Sequence, residues 1–213
     1  MKIIGLTGGS GAGKSTVAQT LHALGAGWVD ADAVYHRLCP ENREMLAALC
    51  GAFGDVLDAD GALDRNRLAP IVFSDAARLA LLNQITIPYI REASQQAFSD
   101  CAARGCPFTL YDAPTLFQSG ADDLCRDGVI GVIAPREIRI RRIMERDGLS
   151  CERAAARIDA QPDDDFYRRR CRWLIENDTT RDAAAQKSAA LFQELNGDSL
   201  PKSEYQKSSL SQT

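Results

Sequence analysis

The segment at residues 8–15 (GGSGAGKS) constrains the fold of this 213-residue chain more than any other segment does. It matches the pattern G-x-x-x-x-G-K-[ST], and it lies between a short apolar run at 2–7 and a helical pattern at 15–24. Glycines let the backbone curl so that successive N–H groups point inward, and the following helix adds free N–H groups and the positive end of its dipole. The order of strand, loop and helix predicts a phosphate-binding loop.

Each part of this loop has a predicted chemical role. Lys14 supplies a mobile cation for the β- and γ-phosphates of a nucleotide, and the Ser15 hydroxyl can bind Mg²⁺. Lys14 is one of five lysines in a chain with 20 arginines, so a compact ammonium group is favoured at this position. The other predicted nucleotide contacts of the loop are Gly8, Gly9, Gly11, Ala12, Gly13 and Thr16.

Short apolar runs that alternate with helical patterns predict an α/β fold with a central parallel sheet of five strands covered by helices on both faces. The predicted strands are 2–7, 28–30, 108–111, 129–133 and 172–175. Ligands of such sheets bind beyond the carboxyl ends of the strands. The segments after Thr7, Val29 and Tyr111 are therefore the candidate site regions.

Helical patterns fill the intervals between the predicted strands. They cover about 15–24, 41–53, 64–73, 74–104, 135–146, 150–160 and 181–195. Pro88 predicts a kink or a break in the long stretch at 74–104, since proline lacks the N–H that a helix interior needs. From residue 196 onward the chain is rich in Ser, Lys and Gln, which predicts disorder.

Aspartates follow two of the predicted strands. Asp30 and Asp32 come at the end of the second strand, where a carboxylate can accept a proton from a hydroxyl that attacks a γ-phosphate. Because they lie at alternate positions, one of them is expected to face the cleft. Asp112 ends the third strand, and an acid there usually holds Mg²⁺ through water. A helix cap or a solvated turn is the alternative reading of all three.

Arginine is concentrated in one stretch of an otherwise acidic chain. The net charge is −4, which argues against a nucleic-acid binder, yet residues 136–172 contain 11 arginines and eight acidic residues. Arg139, Arg142 and Arg146 have the spacing of one helix face. This pattern predicts a basic segment that closes over an anion, while codon bias explains the choice of Arg over Lys. The acidic run at 163–165 and the arginines at 168–170 read as a solvated helix face with i, i+4 pairs.

Seven cysteines without a C-x-x-C pair indicate reduced thiols rather than a zinc or disulfide framework. We see neither a signal peptide nor a run of about 20 apolar residues in the sequence. The sequence thus predicts a cytoplasmic protein with no membrane, nucleic-acid or obligate protein partner.

The chain resembles the dephospho-CoA kinases, which phosphorylate the ribose 3′-hydroxyl of dephospho-CoA in the last step of coenzyme A synthesis. The resemblance covers about residues 3–195. It depends on blocks at 5–17 (GLTGGSGAGKSTV), 29–32 (VDAD), 61–73 (GALDRNRLAPIVF), 112–120 (DAPTLFQSG), 142–148 (RIMERDG) and 157–161 (RIDAQ).

The resemblance implies a three-layer P-loop kinase fold, with ATP and Mg²⁺ as cofactors and dephospho-CoA as the acceptor. It implies one domain at 1–196, with a helical acceptor-binding region at about 36–104 and an arginine-rich lid at about 136–172, followed by the polar tail at 197–213. By resemblance, the loop contacts ATP, Asp32 is the base, and Arg65 lies in the acceptor region. Arg142 and Arg146 belong to the segment that closes over the phosphates, with Arg142 catalytic and Arg146 in contact with ATP. Asp112 would contact substrate and, with Ser15, Mg²⁺.

Three positions depart from the family pattern. Ile87-Pro88 replaces His-Pro, Gln118 replaces an acid, and Thr179 stands where a late turn usually has Gly. These departures leave open a nucleotide-binding relative with impaired catalysis. A nucleoside-monophosphate kinase or another small-metabolite kinase of the same fold is also open, and a nucleotide-dependent switch protein is disfavoured because we see no N-K-x-D sequence.

Overall fold

A computed structural model describes residues 1–197 and contains all five predicted strands. They are β1 (Lys2–Gly8), β2 (Gly27–Asp30), β3 (Phe108–Asp112), β4 (Val129–Ile133) and β5 (Trp173–Glu176). All neighbouring strands are parallel, and their order across the sheet is β2-β3-β1-β4-β5. Because β1 lies between β3 and β4, its carboxyl end opens at the centre of the sheet, where the loop at 8–15 begins.

Nine α-helices surround this sheet within residues 1–197. They are α1 (Lys14–Ala23), α2 (Ala31–Glu41), α3 (Arg43–Phe53), α4 (Arg65–Phe73), α5 (Ala76–Ala103), α6 (Arg136–Asp147), α7 (Cys151–Asp159), α8 (Asp164–Arg170) and α9 (Arg181–Gly197). A short 3-10 helix at Ala121–Leu124 precedes β4.

The apolar core has two halves, one on each face of the sheet. Helices α1 and α9 pack together on one face, where Leu21 and Phe192 join residues such as Ile4 and Phe108 of the strands. Helices α2 to α5 cover the other face, around residues such as Tyr111. The predicted three-layer architecture with a five-stranded parallel sheet is therefore confirmed.

The region at 36–104 is helical, as predicted, but it differs from the expectation in two respects. Helix α2 begins directly after β2, so Asp32 lies in a first helical turn and not at an alternate position of a strand. Of the predicted kink or break at Pro88, the break is wrong, because α5 is one helix through this residue. Pro88 and Gln84 are both exposed, so solvent has access to the face of α5 on which a helical hydrogen bond is lost, which reduces the cost of the proline.

The arginine-rich segment forms α6, α7 and α8, of which α6 and α7 share a small apolar core of Ile143, Ala154 and Ile158. The contacts of Arg168 and Arg170 in α8 differ from the i, i+4 pairs expected between 163–165 and 168–170. Instead Arg168 pairs with Glu176, and the Arg170 guanidinium lies over the ring of Phe166.

No helix in residues 1–197 is long and apolar enough to cross a membrane. The cytoplasmic location stays a prediction. The predicted disordered tail at 197–213 lies, apart from Gly197, outside the described residues.

Candidate active site

The loop at 8–15 leads from β1 into α1 and forms the floor of a cavity of about 340 Å³. Gly13 is the N-cap of α1 with φ of 95°, a left-handed conformation that favours glycine, and no described side chain caps this helix. The N–H groups of Lys14 and Ser15 at the start of α1 have no backbone acceptor in the described chain and are thus left to an external acceptor, as in an anion site. The remaining loop residues that line the cavity are Gly8, Gly9, Ser10, Gly11, Lys14, Ser15 and, one residue on, Thr16. Ala12 is buried beneath the cavity.

The carbonyl groups of the loop are bound from the outside by three side chains. Arg139 donates from Nε to the Ser10 carbonyl at 2.9 Å, and Asn177 donates from Nδ2 to the Ala12 carbonyl at 2.8 Å. Arg142 donates from Nη1 to the carbonyls of Gly11 and Ala12 at 3.3 and 3.4 Å. Because these three consecutive carbonyls are occupied on the outer side, the loop is fixed in one curvature.

Asn177 also holds Arg142. The Asn177 backbone carbonyl and Oδ1 each accept a hydrogen bond from the Arg142 guanidinium at 3.2 Å. Asn177 is only 4% exposed, and a Cβ on Gly13 would collide with its Nδ2. The residue after β5 is therefore part of the loop's support. The sequence offered only the turn at 176–179 as a signal for it.

Lys14 forms an ion pair with Asp112, whose carboxylate is almost fully buried at the end of β3. Burial raises the pKa of the Asp112 carboxyl above its ordinary value, while the charge of Lys14 and its hydrogen bond act in the opposite direction. The structure thus joins two of the predicted site residues directly. The ammonium group of Lys14 contacts Oδ1 of the Asp112 carboxylate.

The residues near the loop suit Mg²⁺ as a partner of a nucleotide rather than as a resident ion. No group of three or more His, Cys, Asp or Glu side chains in residues 1–197 is arranged to hold a metal. Mg²⁺ usually keeps several waters and takes one or two protein oxygens together with substrate phosphates. Ser15, exposed in the first turn of α1, and Asp112 provide such oxygens.

Asp30 and Asp32 have different surroundings. Asp30 Oδ1 accepts hydrogen bonds from the backbone N–H groups of Asp32 and Ala33 at 2.9 and 3.1 Å, so Asp30 is the N-cap of α2. Asp32 is exposed, and its carboxylate has no hydrogen-bond or ion-pair partner in the described chain. Asp30 is the register partner of Asp112 on β3, which brings the start of α2 to the same edge of the sheet as the loop.

Arg65, the first residue of α4, reaches across to α2. Its Nη2 lies 2.8 Å from Nε2 of His36, and its guanidinium lies over the Tyr35 ring at 5.8 Å from the centroid. His36 is one helical turn after Asp32, so both face the same side of α2. Arg65 and Asp32 therefore flank one surface, although neither lines the cavity above the loop.

Arg142 and Arg146 both line that cavity, as the predicted spacing of α6 requires. Arg146 is exposed and pairs bidentately with the neighbouring Asp147, at 2.7 and 2.9 Å. Asp147 also accepts a hydrogen bond from Arg157 at 2.6 Å. Hydrogen bonds from Arg146 and then from Arg157 lower the pKa of Asp147 to about 2, so this cluster stays ionised over the neutral range.

Sequence reasoning missed two more residues that touch the loop. Gln161 Oε1 accepts the backbone N–H of Ser10 at 2.8 Å, and Gln161 Nε2 donates to the Ser10 hydroxyl at 3.1 Å. Arg139 was predicted as part of the basic helix face but not as a contact of the loop. Neither contact follows from local pattern, since each joins residues more than a hundred positions apart.

Comparison with known proteins shows the family of this chain. The family model described as dephospho-CoA kinase matches residues 2–183. A dephospho-CoA kinase from Anaeromyxobacter dehalogenans is 40% identical over 92% of this chain and 93% of its own length. A solved dephospho-CoA kinase from Campylobacter jejuni is 29% identical and superimposes with a TM-score of 0.70 over 92% of this chain and 98% of its own. A protein from Thermus thermophilus superimposes with a TM-score of 0.75 at 36% identity over 91% of this chain and 97% of its own. The chain belongs to the dephospho-CoA kinase family.

Proposed function

We propose that this protein transfers the γ-phosphoryl group of ATP to the ribose 3′-hydroxyl of dephospho-CoA, which gives coenzyme A and ADP. The observation that carries the proposal is the exposed, unpartnered carboxylate of Asp32, oriented by Asp30 at the sheet edge where the loop opens. Membership in the dephospho-CoA kinase family supports dephospho-CoA as the acceptor, and the loop at 8–15 supports ATP binding.

ATP binds with its phosphates on the backbone N–H groups of Gly11, Gly13, Lys14 and Ser15, since the Ser10 N–H already donates to Gln161. Lys14 neutralises the β- and γ-phosphates as its ammonium group turns from Asp112 toward them. The Asp112 carboxylate and the Ser15 hydroxyl are the protein oxygens that would hold Mg²⁺ together with the phosphates. When bound, Mg²⁺ draws charge from the bridging and terminal phosphate oxygens.

Asp32 is the proposed general base. Its carboxylate accepts the proton of the 3′-hydroxyl as that oxygen forms a bond to the γ-phosphorus, and the bond from the γ-phosphorus to the oxygen bridging it to the β-phosphorus breaks. The Asp30 cap fixes the first turn of α2, so the base is positioned by backbone rather than by a long side chain. A short Asp on a fixed turn limits the geometries that the acceptor can adopt.

Arg65 is the proposed contact to the acceptor. Dephospho-CoA carries a diphosphate, and a guanidinium that is already oriented by Tyr35 and His36 is suited to bind it. The surface between α2 and α4 is thus the proposed acceptor site, in the helical region at 36–104.

Arg142 and Arg146 complete the proposed nucleotide site. Both line the cavity above the loop, where charge develops on the transferred phosphoryl group. Arg146 is exposed, and among residues 1–197 its ion-pair partner is the neighbouring surface carboxylate of Asp147, which a phosphate can replace. The Arg142 side chain is less mobile, because its guanidinium is hydrogen-bonded to the loop and to Asn177.

An acceptor panel tests the proposed function. The purified protein is given Mg-ATP with dephospho-CoA, AMP, CMP, shikimate or gluconate in turn, and ADP release is recorded. We expect stimulation by dephospho-CoA and none by the other four. Stimulation by another acceptor without dephospho-CoA activity would assign the chain to a different metabolite kinase. ATP binding without stimulation by any acceptor would support a catalytically impaired relative.

A further inference from the structure

Arg139 is a buried cation that the proposed chemistry does not use. It is 4% exposed, although it lies on the helix that carries Arg142 and Arg146. Its Nε donates to the Ser10 carbonyl at 2.9 Å, its Nη2 donates to Gln161 Oε1 at 3.3 Å, and its Nη1 lies 3.7 Å from Asp164. Every nitrogen of the guanidinium thus faces either the phosphate loop or the segment that follows α7.

Both backbone polar groups of Ser10 are consequently occupied. The Ser10 carbonyl accepts from Arg139, and the Ser10 N–H donates to Gln161 Oε1, which also accepts from Arg139. We call this arrangement of Arg139, Gln161 and Ser10 the Ser10 clamp. It joins the loop to the basic segment at two points, the middle of α6 and the end of α7.

Gly9 is matched to this clamp. Its backbone lies outside the left-handed region, so its conformation does not require glycine. A Cβ at this position would instead collide with Nη2 of Arg139 and lie 2.8 Å from its Cζ. The guanidinium therefore occupies space beside the loop that a side chain at residue 9 would fill. Since the guanidinium is the movable end of a flexible side chain, an alanine at 9 would displace it rather than the loop backbone.

We propose that Arg139 is a positioning residue that, through the Ser10 clamp, holds the phosphate loop in its nucleotide-binding curvature before the nucleotide arrives. A glycine-rich loop that is free to move must be ordered on binding, and a loop ordered in advance avoids that cost. Arg139 acts on the outer, carbonyl side of the loop and does not touch the phosphates. Its loss weakens nucleotide binding and leaves the transfer step little changed. This inference depends on the nucleotide site of the proposed function but not on the identity of the acceptor.

A double-mutant cycle on Mg-ADP binding, measured by isothermal titration calorimetry, tests the proposal. Gly9→Ala and Arg139→Ala both remove the clamp, so each is expected to raise the Kd for Mg-ADP about tenfold. The double variant is expected to bind no worse than either single variant, because the clamp can be lost only once. Arg141→Ala, an exposed arginine on the same helix, is the matched control and is expected to leave the Kd unchanged.

Three outcomes contradict the clamp: unchanged affinity in Arg139→Ala, effects of the two substitutions that multiply in the double variant, or an equal loss in Arg141→Ala. If Arg139→Ala does not fold, Arg139→Met, which keeps the apolar stem but has no guanidinium, replaces it in the cycle and is expected to behave in the same way. In turnover assays the clamp variants are expected to raise the KM for ATP with kcat within about twofold of wild type. Failure of the wild-type protein to bind Mg-ADP would instead refute the nucleotide site of the proposed function.

Discussion

The ammonium group of Lys14 is paired with the buried carboxylate of Asp112, so the loop lysine is bound to the end of β3 before any phosphate is present. The pair places a cation within reach of the phosphate site and keeps a buried carboxylate compensated. In the proposed reaction, nucleotide binding exchanges this partner of Lys14 for phosphate oxygens, and the Mg²⁺ that accompanies the nucleotide would be the new cationic partner of Asp112.

Replacing Lys14 with methionine is expected to weaken nucleotide binding and turnover together, and to change how stability depends on pH. Burial already raises the pKa of Asp112, and removing the opposing cation raises it further. For an acid with a raised folded-state pKa, stability is retained below the unfolded value and lost as the pH rises through the folded value. The difference in Tm between wild type and Lys14→Met should therefore widen from pH 4 to pH 8. A difference that is constant with pH would show that Asp112 is not the affected group.

Asp32→Asn is expected to lower kcat by about a hundredfold or more, because an amide cannot accept the proton of the attacking hydroxyl. The affinity for ATP should remain, since Asp32 lies outside the cavity above the loop. Asp60→Asn, which alters another exposed aspartate, is the control and should retain full activity. Turnover by Asp32→Asn at the rate of this control would exclude Asp32 as the base. The measurement is steady-state ADP release with the nucleotide Kd determined in parallel.

Arg65→Met is expected to raise the KM for dephospho-CoA about tenfold, while the KM for ATP is unchanged. The matched variant is Arg67→Met on the same helix, since Arg67 pairs with Asp55 and Asp64 and not with α2. If both variants affect the acceptor equally, the surface between α2 and α4 is not the acceptor site. Initial rates over a matrix of the two substrates give both constants.

Asn177 offers a test of the loop's support from β5. Asn177→Ala removes the hydrogen bond to the Ala12 carbonyl, the side-chain acceptor for Arg142 and the packing beside Arg142. It is expected to lower the free energy of unfolding by about 1–3 kcal/mol. Asn177→Asp keeps an acceptor for Arg142 but turns a second oxygen toward the Ala12 carbonyl. Both variants should raise the KM for ATP, and urea denaturation measures their stability. Wild-type values for both would mean that the loop needs no support at this point.

Much of the fold followed from local pattern. Each predicted strand is present, with ends that differ by at most one residue, because buried parallel strands are continuous apolar runs bounded by turns. Helix α2 was missed because it begins at Ala31 with no intervening loop and its only start signal is the Asp30 cap. The break expected at Pro88 did not occur, and both Pro88 and Gln84 lie on an exposed face of the helix, where solvent has access to the site of the lost hydrogen bond.

The site was less predictable than the fold. Residues of the loop and the acids at strand ends follow from motif and topology, and on that basis Lys14, Asp112 and Asp32 are predicted site residues. The contacts of Arg139 and Asn177 with the loop join segments 129 and 165 residues apart, and only the packed structure brings them together. Gly9, the second glycine of the loop, is a local sign of the Arg139 contact. Its backbone does not require glycine, but a Cβ there would collide with Arg139.

Comparison of dephospho-CoA with its 3′-deoxy analogue tests the central claim most directly. The protein, Mg-ATP and each compound are incubated, and the product is examined by mass spectrometry and ³¹P NMR. The account predicts that dephospho-CoA gains one phosphomonoester on the ribose 3′-oxygen and that the 3′-deoxy analogue gains none. A phosphate on any other oxygen, or phosphorylation of the 3′-deoxy analogue, would contradict it.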